Sequence, residues 1–347
     1  MNRIFLIFFL AIFSFASCKK NTPDVELILD KSELILNIGE KGTILVLQAP
    51  STGETVEWTS DDKTIASVFY GTVTALGSGT TTITASVGDQ AAKCSVTVPE
   101  RTYELVWSED FDGPNLNSDH WTYEIGTGNS GWGNNEEQYY TNRSENIRIE
   151  NGCLVIEALK EEYEGSHYTS ARIKTAGKKE FAYGKVEVRL QVPSGVGTWP
   201  AFWMLGTQGG WPDCGEIDIM EHVGFDPKTF HCALHTKNKN GMNGQNFKAS
   251  QTIEEDAAND FHVITMEWVE QEFMGYDRIH IYVDGVETVT WSETSQLQDS
   301  DDWPFNNNFF FITNLALGGN WGGTIDDSIF DNPVQYKIDY IRVYQFQ

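Results

Sequence analysis

Positive charge is scarce in this sequence. Its 347 residues carry 24 Lys and Arg against 50 Asp and Glu, a formal net charge of −26. That balance argues against nucleic acid, an anionic membrane surface or a polyanionic substrate, and leaves a neutral polymer acceptable. Cysteine is also sparse. Cys18, Cys94, Cys153, Cys214 and Cys232 stand at spacings that match no zinc pattern. The last four read as mostly buried free thiols. Beyond the N-terminus no apolar run approaches the roughly 20 residues needed to span a bilayer. No stretch of ten residues has convincing helical periodicity, and no repeat of solenoid period appears. These absences leave an all-β chain, long enough for two domains or for one large domain with an appendage.

What the chain does have is aromatic residues, 13% of the total with 11 Trp. Such residues suit both cores and stacking grooves. Its N-terminus has Arg3 followed by an almost wholly apolar run from Ile4 to Phe15, then Ala16-Ser17-Cys18. This reads as a targeting segment to be set apart from the fold. Small residues directly before a cysteine resemble a bacterial lipoprotein signal. The resemblance implies a signal peptide over 1–17, lipid on Cys18, a tether over 18–24, and export to the bacterial cell envelope, at the outer membrane or cell surface.

Residues 25–98 hold short strand-like runs punctuated by glycine, the pattern of a β-sandwich. The run "VEWTSDDKTIASVFYGTVTALGSGTTTITA", with Trp58 and the Gly71-to-Gly79 turns, resembles bacterial immunoglobulin-like domains of the invasin and intimin type. No catalytic cluster falls here, and a spacer role is expected. Pro99-Glu100-Arg101 marks a junction. From 101 to 347 the strands lengthen and Trp, Tyr and Asn rise. Asn151-Gly152 and Asp284-Gly285 read as tight hairpin turns. Asn308 to Leu317 reads as a strand buried on both faces. So many strands suggest two large stacked sheets.

The chemistry concentrates in Gly-Glu-Ile-Asp-Ile-Met-Glu-His, residues 215–222. Side chains alternate along a strand, so Glu216 and Asp218 share a face and position 220 is next on it. That position is Met, and the third acid, Glu221, arrives one residue late. A β-bulge near Ile219 or Met220 would return it to the acidic face. Spacing alone is weak, because 50 acids in 347 residues give three at a stated spacing about once by chance. Context discriminates. The strand is apolar, and Trp199, Trp203 and Trp211 lie just upstream, where aromatic faces can stack on sugar rings. A retaining glycosidase needs two carboxyls about 5–5.5 Å apart. Glu216 and Glu221 stand about 13–16 Å apart along the backbone, so their side chains meet only on a curved sheet. In this reading Glu216 is the nucleophile, Glu221 the acid/base, and Asp218 the group that keeps their charges unequal. A solvent-exposed acidic strand face and a metal site stay open as alternatives.

"GEIDIMEHVG" preceded by "WPAFWML" resembles glycoside hydrolase family 16 in its laminarinase-like branch. The similarity continues through "LVWSEDFDG", "WTYEIGTGNSGWGNNEEQYYT", "YTSARIKT", "FAYGKVEVR", "NLALGGNWGG" and "IDYIRVYQ". It implies a β-jelly-roll sandwich over 101–347 with a concave cleft, and retaining endo-hydrolysis of β-1,3-glucans. Mixed-linkage β-1,3-1,4-glucanase, another polysaccharide hydrolase of the family and a non-catalytic glycan-binding protein are the alternatives. The Glu-x-Asp-x-x-Glu spacing is similar to the bulged form of the 1,3-β-glucanases, whereas the lichenase branch has its acids one residue closer. By the same resemblance Trp199 and Trp203 line the sugar site near the nucleophile. Asn134, Arg172, His235 and Trp321 then contact substrate. Asp110, Gly152 and Asp339 match the positions of a structural Ca²⁺. No cofactor is implied for catalysis, and a monomer is expected.

Overall fold

The computed structural model describes residues 25–51, 53–273, 276–294 and 301–346, so Cys18 and the rest of the N-terminal segment lie outside the described residues. The chain divides at Pro99–Glu100 into two compact units.

The first unit is a small β-sandwich. One sheet orders Glu33–Ile35, Gln90–Val98, Gly79–Val87 and Glu57–Ser60, and a second orders Lys41–Thr43, Thr72–Ala75 and Ala66–Phe69. Alternation sends Ile83, Cys94, Val96, Val73 and Ala66 into one core, against which Trp58 packs. The turn at Tyr70-Gly71 requires its glycine. Gly71 has φ +78°, and a Cβ there would meet the Ile44 carbonyl oxygen at 2.6 Å.

The second unit stacks a ten-stranded sheet on an eight-stranded one. Val334–Phe346 lies inside the larger sheet, between Cys153–Tyr163 and Gly184–Gln191. The expected hairpin turns are present: Asn151 and Gly152, then Asp284 and Gly285, all adopt positive φ. The smaller sheet runs in the order Thr122–Glu124, Arg172–Lys174, Phe309–Leu317, Thr198–Gly206, Glu216–His222, Thr229–His235, Phe247–Thr252. Among the described residues the helices are short turns, none longer than five residues.

The core between the sheets explains the acid-bearing strand. Ile217, Ile219 and Met220 all enter it, with Phe202 and Phe311 among their companions. Two consecutive apolar residues pointing inward break the alternation, and the register records the break. Asp218 to Glu221 takes three steps, while the facing Ala233 to His231 and Trp203 to Ala201 each take two. The extra residue is a β-bulge at Ile219–Met220, and it returns Glu221 to the face of Asp218. Met220 pairs with Phe202, whose ring stacks on Phe311 at 5.2 Å. Phe202→Ala should therefore cost about 3–5 kcal/mol in urea unfolding. A loss below about 1 kcal/mol would show that this core does not support the bulge.

Candidate active site

The face of the smaller sheet turned away from the core gathers the chemistry. Across the strand pairs, His235 stands opposite Glu216, Trp203 opposite Asp218, and both Ala201 and His231 opposite Glu221. Asp218 is only 5% exposed. The three carboxylates are thus close together and away from water, where their charges are costly. Burial, followed by the neighbouring Asp218 charge, pushes Glu216 up to about 8. Burial raises Asp218 to about 7. Burial and then Asp218 raise Glu221 to about 8. The cluster titrates as a unit, not as three independent acids.

The partners of the three acids differ. The Trp199 indole N–H donates to Glu221 Oε1 at 3.1 Å, so Trp199 stands at the Glu221 end of the cluster and not beside Glu216. Carboxylate oxygens of Glu216 and Asp218 lie within 4.8 Å of one another. His235 Nε2 lies 3.2 Å from Asp218 Oδ2 and 3.8 Å from Glu216 Oε1. The Gly241 amide donates to His235 Nδ1 at 3.0 Å. That nitrogen must accept, so the proton of the neutral ring sits on Nε2, although Asp218 Oδ2 receives no hydrogen bond from it. Glu216, Asp218 and His235 have the composition of a metal-ligand group. Yet a ring nitrogen that carries a proton has no lone pair for a metal, so the tautomer disfavours a metal ion here.

Arg172 is ion-paired to Glu124 at 2.5 Å. Its guanidinium lies over the Trp132 ring at 4.5 Å and the Trp203 ring at 4.9 Å. Arg172 thus holds two aromatic platforms in place while Glu124 neutralises it. Asn134 lies on the turn Gly131–Asn135, two residues before Glu136. Trp321, on the short helix Gly319–Gly322, meets Trp199 edge-on at 5.6 Å and His231 at 4.9 Å. Trp211 is 40% exposed with its ring 6.3 Å from that of His235. An aromatic border therefore runs on both sides of the acids.

The positions singled out for Ca²⁺ lie elsewhere. Tyr103–Glu109 and Cys153–Tyr163 pair end to end along one edge of Val334–Phe346, and the gap between them falls across from Asp339. Asp110 and Gly152 adjoin that gap. Both carboxylates already hold arginines, Asp110 with Arg342 at 3.2 Å and Asp339 with Arg189 at 2.6 Å. Cys94, Cys153, Cys214 and Cys232 are all free.

Glu136, Tyr140, Asn314, Glu124 and Trp132 lie inside the quoted runs without standing out from them, and Gly241 lies outside.

The model of Glycosyl hydrolases family 16 matches residues 134–342, and that of the bacterial Ig-like domain (group 2) matches 26–98. A beta-glucanase of Rhodothermus marinus is 45% identical over 254 residues, spanning 70% of this chain and 86% of that protein. Glucan endo-1,3-beta-glucosidase A1 of Niallia circulans is 34% identical over 269 residues, 70% of this chain and 38% of that protein. Among solved structures, the laminarinase of Rhodothermus marinus superposes with a TM-score of 0.65 at 43% identity, covering 71% of this chain and 99% of that one. The laminarinase of Flavobacterium sp. UMI-01 gives 0.63 at 43%, covering 70% and 100%. An all-β chain with a jelly-roll second unit, an immunoglobulin-like first unit and this degree of identity is a glycoside hydrolase, and it belongs to glycosyl hydrolases family 16.

Proposed function

We propose that the protein hydrolyses β-1,3-glucans internally and with retention of configuration, with Glu216 as nucleophile and Glu221 as acid/base. The observation that carries this is the bulge, which puts Glu216, Asp218 and Glu221 on one face with different partners. Beta-glucanase and laminarinase relatives support the substrate class. A neutral glucan also suits a chain of net charge −26. The family chemistry needs carboxyl groups alone and no cofactor.

Two carboxyls must differ in charge as the substrate arrives. Carboxylate oxygens of Glu216 and Asp218 lie within 4.8 Å of one another. A proton passed from Glu216 to Asp218 leaves Glu216 ionised, and the Arg172 charge favours that state. Glu221 keeps its proton for the leaving oxygen. After the glycosyl-enzyme forms, Glu221 takes a proton back from water as the second step proceeds. Trp203 and Trp199 offer faces for the sugar rings, and Asn134 and Trp321 border the site.

Glu216→Gln should abolish laminarin hydrolysis and leave the fold intact. Near-normal release of reducing sugar would end the assignment. The same variant carries a stability signature. A folded-state pKa raised to about 8 from 4.5 means that folding favours the protonated acid. Glu216 therefore weighs against folding increasingly as pH rises from about 4.5 to about 8. Gln removes that burden, so the variant should melt above the wild type at pH 8 and level with it near pH 4. Equal melting temperatures at both pH values would contradict burial of the charge.

The alkaline limb of the activity profile should fall near pH 8, where Glu221 loses its proton. An aryl glucoside with a leaving group that needs no proton should lose this limb in its first step. A limb that persists with that substrate belongs to another group.

We propose also that the gap beside Asp339 takes a structural Ca²⁺. Oxygen donors there, from Asp110, Asp339 and the Gly152 carbonyl, are of the type the ion prefers. The ion would displace the arginine partners and tie two strand ends together, with no part in the chemistry. Calcium should raise the melting temperature, and a chelator should reverse the rise. Asp339→Asn should show neither effect. A wild type that melts at the same temperature with calcium and with chelator removes the ion from the account.

A further inference from the structure

Trp203 can donate through its indole nitrogen and cannot accept. Its partner at 2.9 Å must therefore be the side-chain oxygen of Asn314. That orientation turns Asn314 Nδ2 toward the Tyr140 hydroxyl oxygen, which accepts at 3.2 Å. Tyr140 is left with its own proton to give, and it donates to Glu136 Oε2 at 2.8 Å. Three hydrogen bonds thus point the same way and end on one carboxylate that is 9% exposed. Aligned donors of this kind strengthen one another in a low-dielectric interior.

A second branch ends on the same oxygen. Gln138 Nε2 donates to Glu136 Oε2 at 2.7 Å, and Gln138 Oε1 accepts from the Leu317 amide at 2.7 Å. Glu136 also bridges Gly318 through the backbone, and a Cβ on Gly319 would meet the Asn134 oxygen at 2.8 Å. The loop carrying Trp132 and Asn134 is therefore tied to the apolar strand Phe309–Leu317 at the point where Glu136 sits.

We infer that Glu136 is a positioning residue for substrate binding: through Tyr140 and Asn314 it fixes the orientation of the Trp203 ring on which a sugar stacks. A stacking platform contributes most when its ring is already held at the bound angle, so that no freedom is lost on binding. The inference rests on the glucan-hydrolase reading, in which Trp203 meets the substrate. Glu136 itself touches no reacting atom, and it acts on affinity.

The test is a double-mutant cycle on β-1,3-gluco-oligosaccharides. Tyr140→Phe removes the proton that reaches Glu136 and keeps the ring. It should raise KM about fivefold while kcat stays within about twofold, the size expected for one lost hydrogen bond. In a Trp203→Phe background, which has a ring and no N–H, the same change should have no further effect on KM. An unchanged KM, a fall in kcat in place of a rise in KM, or an equal rise in both backgrounds overturns the inference. Should Tyr140→Phe lower the melting temperature by more than about 10 °C, Asn314→Ser interrupts the same chain and the cycle is read on that variant. A wild type without activity on these substrates fails the hydrolase reading; an active wild type with an unaffected Tyr140→Phe fails this one.

Discussion

Three carboxylates on one strand face repel each other, and the second unit is built around keeping them there. Each would be cheaper in water. Burial raises the affinity of all three for protons, and the surroundings then make them unequal. Trp199 donates to Glu221, His235 Nε2 lies nearest Asp218, and Arg172, paired with Glu124, lies against the Trp203 ring. No single partner neutralises the cluster. Inequality is what a two-step displacement uses, because one acid must arrive charged and another neutral.

The support for that cluster is assembled from distant parts of the chain. Arg172 is fixed by Glu124, and Trp203 by Asn314, partners 48 and 111 positions apart. The Gly241 amide, on a capped turn after the strand Thr229–His235, sets the proton on His235. These contacts exist only once the sheet has formed. The site is a product of long-range pairing, and its geometry should be as stable as the sheet that carries it.

How much of this was legible in the sequence depended on range. The alternation of Glu216, Ile217, Asp218 and Ile219 announced a two-faced strand, and the late Glu221 announced a bulge, because both signals lie within six residues. The hairpin turns at Asn151-Gly152 and Asp284-Gly285 were equally local. The relay from Trp203 to Glu136 left no such mark. Tyr140 and Asn314 are ordinary residues 174 positions apart, and nothing in either neighbourhood points to the other. The end of the cluster at which Trp199 stands was out of reach for the same reason: the register between strands decides it, and no composition or spacing encodes that register. Arg172 shows an intermediate case. Its place among the substrate-contacting positions followed from the resemblance, while its tie to Glu124 and its place against two aromatic rings came from packing.

The bulge at Ile219–Met220 bears on folding as well. A regular strand can slip by one residue and turn over as a whole. This strand is two short segments joined out of phase. Pairing it with its neighbours without the bulge can satisfy one segment only, and it drives the carboxylate of the other into the space filled by Phe202 and Phe311. An ionised group there has no partner to offset its desolvation. The irregularity therefore discriminates against mispaired sheets during assembly, so the element that sets the chemistry also proofreads the topology.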